Sequence, residues 1–217
     1  MKLAVIGESC FNGSSEMVGP VGNSRHNIFV QPSLCMNLLG EDGVAAITII
    51  IYSQFLLNTL YIGYSMGIAP IIGFNYGNRN EVQQKKVFSI SMRFIAAASV
   101  LIFAVSMFGG SYIVRLFADD TSEVYQIAAN GFTIFSYSFL FCGLNNFTSA
   151  MFTALSNGKV SAVLSFLRTF GLLAGGILLL PHIWGITGVW LAVPVAEGIM
   201  FVVSAICLIH YRKKYSY

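Results

Sequence analysis

Charge is scarce in this chain. Only 10% of its 217 residues are Asp, Glu, Lys or Arg, against roughly 25% in soluble domains. With 56% hydrophobic residues and a mean hydropathy of +0.73, a globule of this size lacks the polar residues to cover its outside. The solvent that this composition predicts is lipid. Clustered metal ligands are lacking too. Cys10, Cys35, Cys142 and Cys207 form no CxxC pair, and His26, His182 and His210 lie far apart, which argues against zinc or haem. Cys142 and Cys207 stand in apolar runs and read as small core residues. The net charge is +3 with no basic stripe away from the span-flanking clusters, so nucleic acid is not an expected partner. Neither a nucleophile with base and orienter, nor HExxH, nor a phosphate-cradling glycine loop occurs. The expectation is no catalytic residue, no metal, no cofactor and no enzyme.

Long apolar runs are what the chain does have. A membrane helix takes about 20 mostly apolar residues. Five stretches qualify: 44–74, 87–108, 124–155, 160–180 and 188–209. The first and third exceed what a bilayer needs, which predicts tilt, a kink or extension beyond the lipid. Basic residues flank alternate ends of these spans: Arg79, Lys85 and Lys86 after the first, Lys159 after the third, Arg212, Lys213 and Lys214 after the fifth. The loop after the second mixes Arg115 with Asp119, Asp120 and Glu123, and none of Lys or Arg lies between the fourth and fifth. By the positive-inside rule the chain is multi-pass in the plasma membrane, with its C-terminus cytoplasmic and Glu41 and Asp42 outside. Residues 1–43 do not fit this pattern. The segment 18–33 holds Pro20, Pro32 and several Gly and Asn, so residues 1–43 are expected to be irregular.

Polar residues within the spans are candidates for function. Gln54, Asn58, Tyr61 and Ser65 are spaced by four, three and four, one helical face. A polar face in a membrane helix turns to protein or a water-filled cavity, so it is either the wall of a substrate pathway or bundle-holding hydrogen bonding. Ser138, Asn145, Ser149 and Phe152 share a face in the third span, with Asn146 beside them, and the same two readings apply. Glu197 is the sole acidic residue deep within a span. It either carries a proton, pairs with Arg168 or caps a local network. Arg93 and Arg168 suit snorkelling anchors, although Arg168 sits far enough into its run to seek a carboxylate. Pro70 loosens the end of the first span, and GFNYGNRN, 73–80, reads as a helix stop and tight loop in which Gly and Asn supply left-handed backbone.

That loop resembles the glycine-asparagine-tyrosine-glycine loop after the eighth helix of multidrug and toxic-compound extrusion (MATE) transporters. The likeness rests on Pro70, Gly73, Asn75, Tyr76, Gly77 and Asn80, and extends over GYSMGIAPIIGFNYG, 63–77. LGEDGVAAITII, 39–50, looks like the entry to the eighth helix. ALSNGKVSAVLSFLRTF, 154–170, looks like the junction of the tenth and eleventh, and GVWLAVPVAE, 188–197, like the last. The likeness is strongest to the bacterial drug-exporting, MepA-like branch. It implies an all-α membrane fold in which 44–217 form most of a C-terminal lobe, helices eight to twelve. It also implies an antiporter exporting cationic, amphipathic drugs against sodium or protons, with two lobes rocking about a central cavity. The implied partners are membrane lipid, such drugs and an N-terminal lobe that this sequence does not match. NGSSEMV, 12–18, is similar to the start of the seventh helix; the likeness stops after Val18 and resumes near Leu39, as a local change of reading frame would cause. Glu16 falls where sodium-using relatives carry an acidic residue, and Asn145 near a second such position, where an amide cannot supply the charge. One lobe is expected not to transport alone. A non-transporting remnant and a lipid-carrier flippase of the same superfamily are the alternatives.

Overall fold

The computed structural model describes residues 24–119, 121–215 and 217, with side chains from residue 40 onward. Every regular element among them is helical: α1 (Ser24–Gly77), α2 (Glu81–Arg115), α3 (Glu123–Ser136), α4 (Phe139–Ala154), α5 (Gly158–Phe166), a π-helical stretch (Leu167–Ala174) and α6 (Gly175–Tyr215). Membranes favour this outcome, because a helix satisfies its own backbone polar groups.

Two glycines break the longest helices. Gly40 in α1 has φ 66° and ψ −152°, and Gly185 in α6 has φ 55° and ψ −132°, a region that side chains exclude. At Gly185 the chain doubles back. A Cβ on Gly188 would collide with the Leu180 carbonyl, and one on Gly176 would lie 3.4 Å from the Ala192 carbonyl oxygen. Residues 158–184 and 186–215 are therefore antiparallel legs. Among the described residues three runs are long and apolar enough to cross a membrane, Gly40–Gly77, Glu81–Arg115 and Gly158–Tyr215, and α3 with α4 makes a fourth if the bent pair is one span. The last of these runs is a hairpin, so each of the five expected apolar stretches is helical, the third of them bent.

Three expectations need correction. Residues 24–39 are helical rather than irregular; Gly19, Pro20, Gly22 and Asn23, most of the breakers behind that expectation, precede the helix, and Asn27 and Pro32 fall inside it. The third span is not one rod, since α3 and α4 meet at 54°. There the Ser136 hydroxyl donates to the Phe132 carbonyl (2.8 Å), and the Ser138 N–H reaches three residues back to Phe135 (2.9 Å). Such a side-chain bond and a tightened turn together bend a helix. Finally, Gly73, Asn75 and Gly77 all stay helical, and the left-handed residue of the loop is Arg79 (φ 53°).

That loop has a twin. The Asn80 N–H donates to the Asn75 carbonyl and the Arg79 N–H to Tyr76; the Asn157 N–H donates to Phe152 and the Ser156 N–H to Thr153. Each is a Schellman turn around a left-handed residue, Arg79 or Ser156 (φ 58°). In each, the next residue is an Asn that caps the following helix, Asn80 through the Gln83 N–H and Asn157 through the Val160 N–H. The two turns lie side by side, as a Cβ on Gly73 would sit 3.3 Å from the Ala154 carbonyl oxygen. The end of α6 joins them: the Tyr76 and Tyr215 rings are 5.5 Å apart, and Phe88 and Tyr217 4.6 Å. One end of the bundle thereby collects the basic clusters around Arg79, Lys85, Lys159 and Arg212.

Two buried clusters stack along the bundle. One gathers Ile47, Ile50, Phe132, Phe135, Phe139, Ile177 and Trp190; the other, at the basic end, gathers Ile72, Phe147, Met151, Phe152, Leu164, Met200 and Tyr215. The outer surface is as apolar as the core. Phe108 is 83% exposed, and Leu56, Leu101, Leu179 and Ile209 are also exposed. Water would not tolerate such a surface, whereas lipid does. Packing and interhelical hydrogen bonds, rather than burial from water, then hold the helices together.

Candidate functional site

Where the two apolar clusters meet, α4, the π-helical stretch and α6 bring polar residues together. Glu197, on the returning leg of α6, is buried. Arg168 lies 2.6 Å from it as an ion pair, its Nη2 and Nε both directed at Oε1, Nε at 2.8 Å. Asn145 Nδ2 donates to the other carboxylate oxygen (2.7 Å) and to the Glu197 backbone carbonyl (3.1 Å). The Ser204 hydroxyl donates to Asn145 Oδ1 (2.9 Å), and Arg168 Nη1 donates to Asn146 Oδ1 (2.7 Å). Arginine has no acceptor and an ionised carboxylate no donor, so chemistry fixes the orientation of both amides. Of the readings of Glu197, the geometry places it in a pair with Arg168, with both carboxylate oxygens occupied. A lone charge in hydrocarbon is costly; a matched, fully hydrogen-bonded pair is tolerated.

Sequence periodicity does not announce the arrangement of Arg168. The residue stands at the start of the π-helical stretch, whose wider turn departs from the 3.6-residue repeat. Pro194, three residues before Glu197, is buried within α6 and removes one backbone donor there.

The α1 face behaves differently. Tyr61 is buried and its hydroxyl donates to the Phe139 carbonyl (3.0 Å), a bond between helices. Gln54 and Asn58 are half-buried and Ser65 is buried. Asn58 Oδ1 and Ser65 Oγ have no hydrogen-bond partner among the described residues, a condition shared with Gln84 Oε1, Ser106 Oγ and Ser138 Oγ. Ser65 lines an open cleft of about 450 Å³ between α1 and α4, whose walls include Pro70, Gly73, Asn146, Ala150 and Thr153. Asn146 thus touches both the cleft and Arg168.

The α4 face splits. Asn145 turns to α6, whereas Ser149 joins a hydroxyl ladder to α5: Ser149 to Ser165 (3.0 Å), Ser149 to Ser161 (3.2 Å) and Thr153 to Ser161 (2.8 Å). Phe152 packs edge-on against Tyr211 (5.4 Å). Of the loop residues, Tyr76, Gly77 and Asn80 are exposed at the basic end, away from the ion pair. Arg93 is exposed on α2. Glu16 lies outside the described residues.

A helical lobe with a lipid-facing apolar coat, a matched internal ion pair and a lined cleft defines a multi-pass membrane protein with a polar interior. The comparisons narrow the class. The family model MatE matches residues 29–174, more than half of the chain, and the chain belongs to the MATE family, whose members are transporters. The match begins ten residues before Leu39, where likeness was expected to resume. The fold is similar to a multidrug resistance MATE family transporter of the MOP superfamily in its outward-facing conformation (TM-score 0.79, 19% identity, 89% of this chain and 45% of that one). It is also similar to a MOP superfamily transporter from Pyrococcus furiosus (0.82, 17%, 91% and 45%). A third likeness is to the Vibrio cholerae MATE transporter VcmN in the bent form (0.77, 22%, 91% and 45%). The chain spans about half the length of these transporters. A search of curated proteins gave no match.

Proposed function

We propose that residues 44–217 act as the C-terminal lobe of a MepA-like multidrug antiporter, exporting cationic amphipathic drugs in exchange for sodium or protons. The observation that carries this reading is the pair of polar groups, Asn58 Oδ1 and Ser65 Oγ, unpartnered among the described residues on one α1 face within a MATE fold. Polar groups left open in an apolar bundle are suited to a ligand or water. Glu197, matched by Arg168, is read as a scaffold residue that keeps α6 against α4. A coupling ion would need a carboxylate elsewhere, and Glu16 and the second lobe are the candidates. The gathering of basic residues at the α6 end supports a cytoplasmic C-terminus in the plasma membrane. Alternating access needs two lobes, so the chain is expected to work with an N-terminal lobe.

The test is ethidium efflux in a bacterial host lacking its own exporters. The chain co-expressed with a MATE N-terminal lobe should export, and the chain by itself should not. Ser65→Leu should reduce export at equal membrane abundance. Export by this chain alone, or full export by the Ser65 variant, would overturn the reading.

A further inference from the structure

We infer that the cleft between α1 and α4 receives the uncharged, hydrogen-bond-accepting apolar end of a small ligand and turns its cationic group away. The inference rests on the transport reading above and names what this part of the lobe selects.

The cleft presents two polar groups to a ligand. Ser65 is 3% exposed and its hydroxyl is unpartnered among the described residues. Asn146 has its Oδ1 held by Arg168 Nη1 at 2.7 Å. Since Arg168 can only donate, the amide cannot turn round, and Asn146 offers its Nδ2 donors to whatever enters. Thr153 is already committed, donating to the Ser149 carbonyl (3.0 Å) and meeting Ser161. The cleft therefore offers donors to a carbonyl or ether oxygen.

Charge gives the same preference. Arg168 donates Nε and Nη2 to Glu197 and Nη1 to Asn146. The guanidinium nitrogen not directed at Glu197, Nη1, is therefore the one bonded to the cleft-lining Asn146. Neither an acidic nor an aromatic side chain is among the described residues lining the cleft. A cation entering here would give up its solvation and find neither a carboxylate nor a ring face among the lining residues to replace it.

Acridone, a neutral planar ketone, and N-methylacridinium, a cation of nearly the same shape, test this directly. Each is titrated by fluorescence against the full 217-residue chain in phosphatidylcholine nanodiscs, with empty nanodiscs subtracted. Acridone should bind at least about ten-fold more tightly, as expected when a donor pair finds its acceptor. Ser65→Ala and Asn146→Leu should each remove most of that preference. Equal binding of the two probes, no binding of acridone, or acridone binding that neither variant changes would overturn the inference. A lipid ester carbonyl has the same acceptor chemistry. Acridone affinity equal in ester- and ether-linked lipid supports a small-molecule occupant, and weaker binding in ester lipid overturns that assignment in favour of lipid. Ethidium efflux by the two-lobe assembly is scored separately, so failure of the probes and failure of the transport reading remain distinct results.

Discussion

Two polar groupings, one around Glu197 and one along α1, have opposite hydrogen-bond states. Around Glu197, the carboxylate, the guanidinium and the Asn145 amide are joined in one network across three helical elements. Along α1, Tyr61 is bonded while Asn58 Oδ1 and Ser65 Oγ have no partner among the described residues. As sequence the two are hard to tell apart, because each consists of polar residues set within apolar spans. The difference lies in what each does for the bundle. In lipid a closed network fastens helices, and an open group leaves a place for something else to bind.

Variants can break this contrast, and the largest effect belongs to the closed network. Arg168→Met leaves the Glu197 carboxylate buried and unmatched, and should lower stability by about 3–5 kcal/mol. Arg168→Met with Glu197→Met should recover most of the loss in thermal melts of the nanodisc-embedded chain; a double variant as unstable as the single one would mean that the pair is not the unit that matters. Next comes the hairpin. Gly188→Ala drives a Cβ into the backbone of Leu180, which cannot rotate away, and should cost about 1–3 kcal/mol or more. A smaller loss, about 1–3 kcal/mol, is expected for Asn145→Leu, which strips a hydrogen bond from the Glu197 carboxylate and leaves the Ser204 hydroxyl unpaired. The smallest effect is at the twin turns. Ser156→Gly relieves a left-handed serine and should stabilise by roughly 0.5–1 kcal/mol or leave stability unchanged. A clear destabilisation would show that the Ser156 side chain does more than accept strain.

Much of the architecture is legible in residue order. The spans follow from hydropathy, the Gly185 reversal falls between Pro181 and Gly188 where the apolar runs part, and the loop at 73–80 carries the family likeness. Pairing of Glu197 with Arg168 stands among the alternatives because a lone acid and a lone base in adjacent spans have few other ways to match charge. Other features have no compositional trace. The bend between α3 and α4 joins two equally apolar segments, so a hydropathy window passes over it. The π-helical turn that holds Arg168 uses ordinary apolar residues. The left-handed positions fall on Arg79 and Ser156 while Gly73 and Gly77 remain helical, because the Schellman bonds and the Asn caps fix where the chain turns. Ser149, grouped with Asn145 by spacing, belongs instead to the ladder with Ser161 and Ser165.

We propose that the network around Glu197 is scaffold and the α1 face beside the cleft ligand wall. The most direct measurement is the melting temperature of the purified chain in nanodiscs for Glu197→Gln and Ser65→Ala, scanned side by side with the parent. The account predicts a fall of several degrees for Glu197→Gln, since it removes the charge that matches Arg168. Ser65→Ala removes a hydroxyl without a partner among the described residues and should leave the midpoint where it was. Equal melting for all three proteins, or a larger loss at Ser65 than at Glu197, would contradict it.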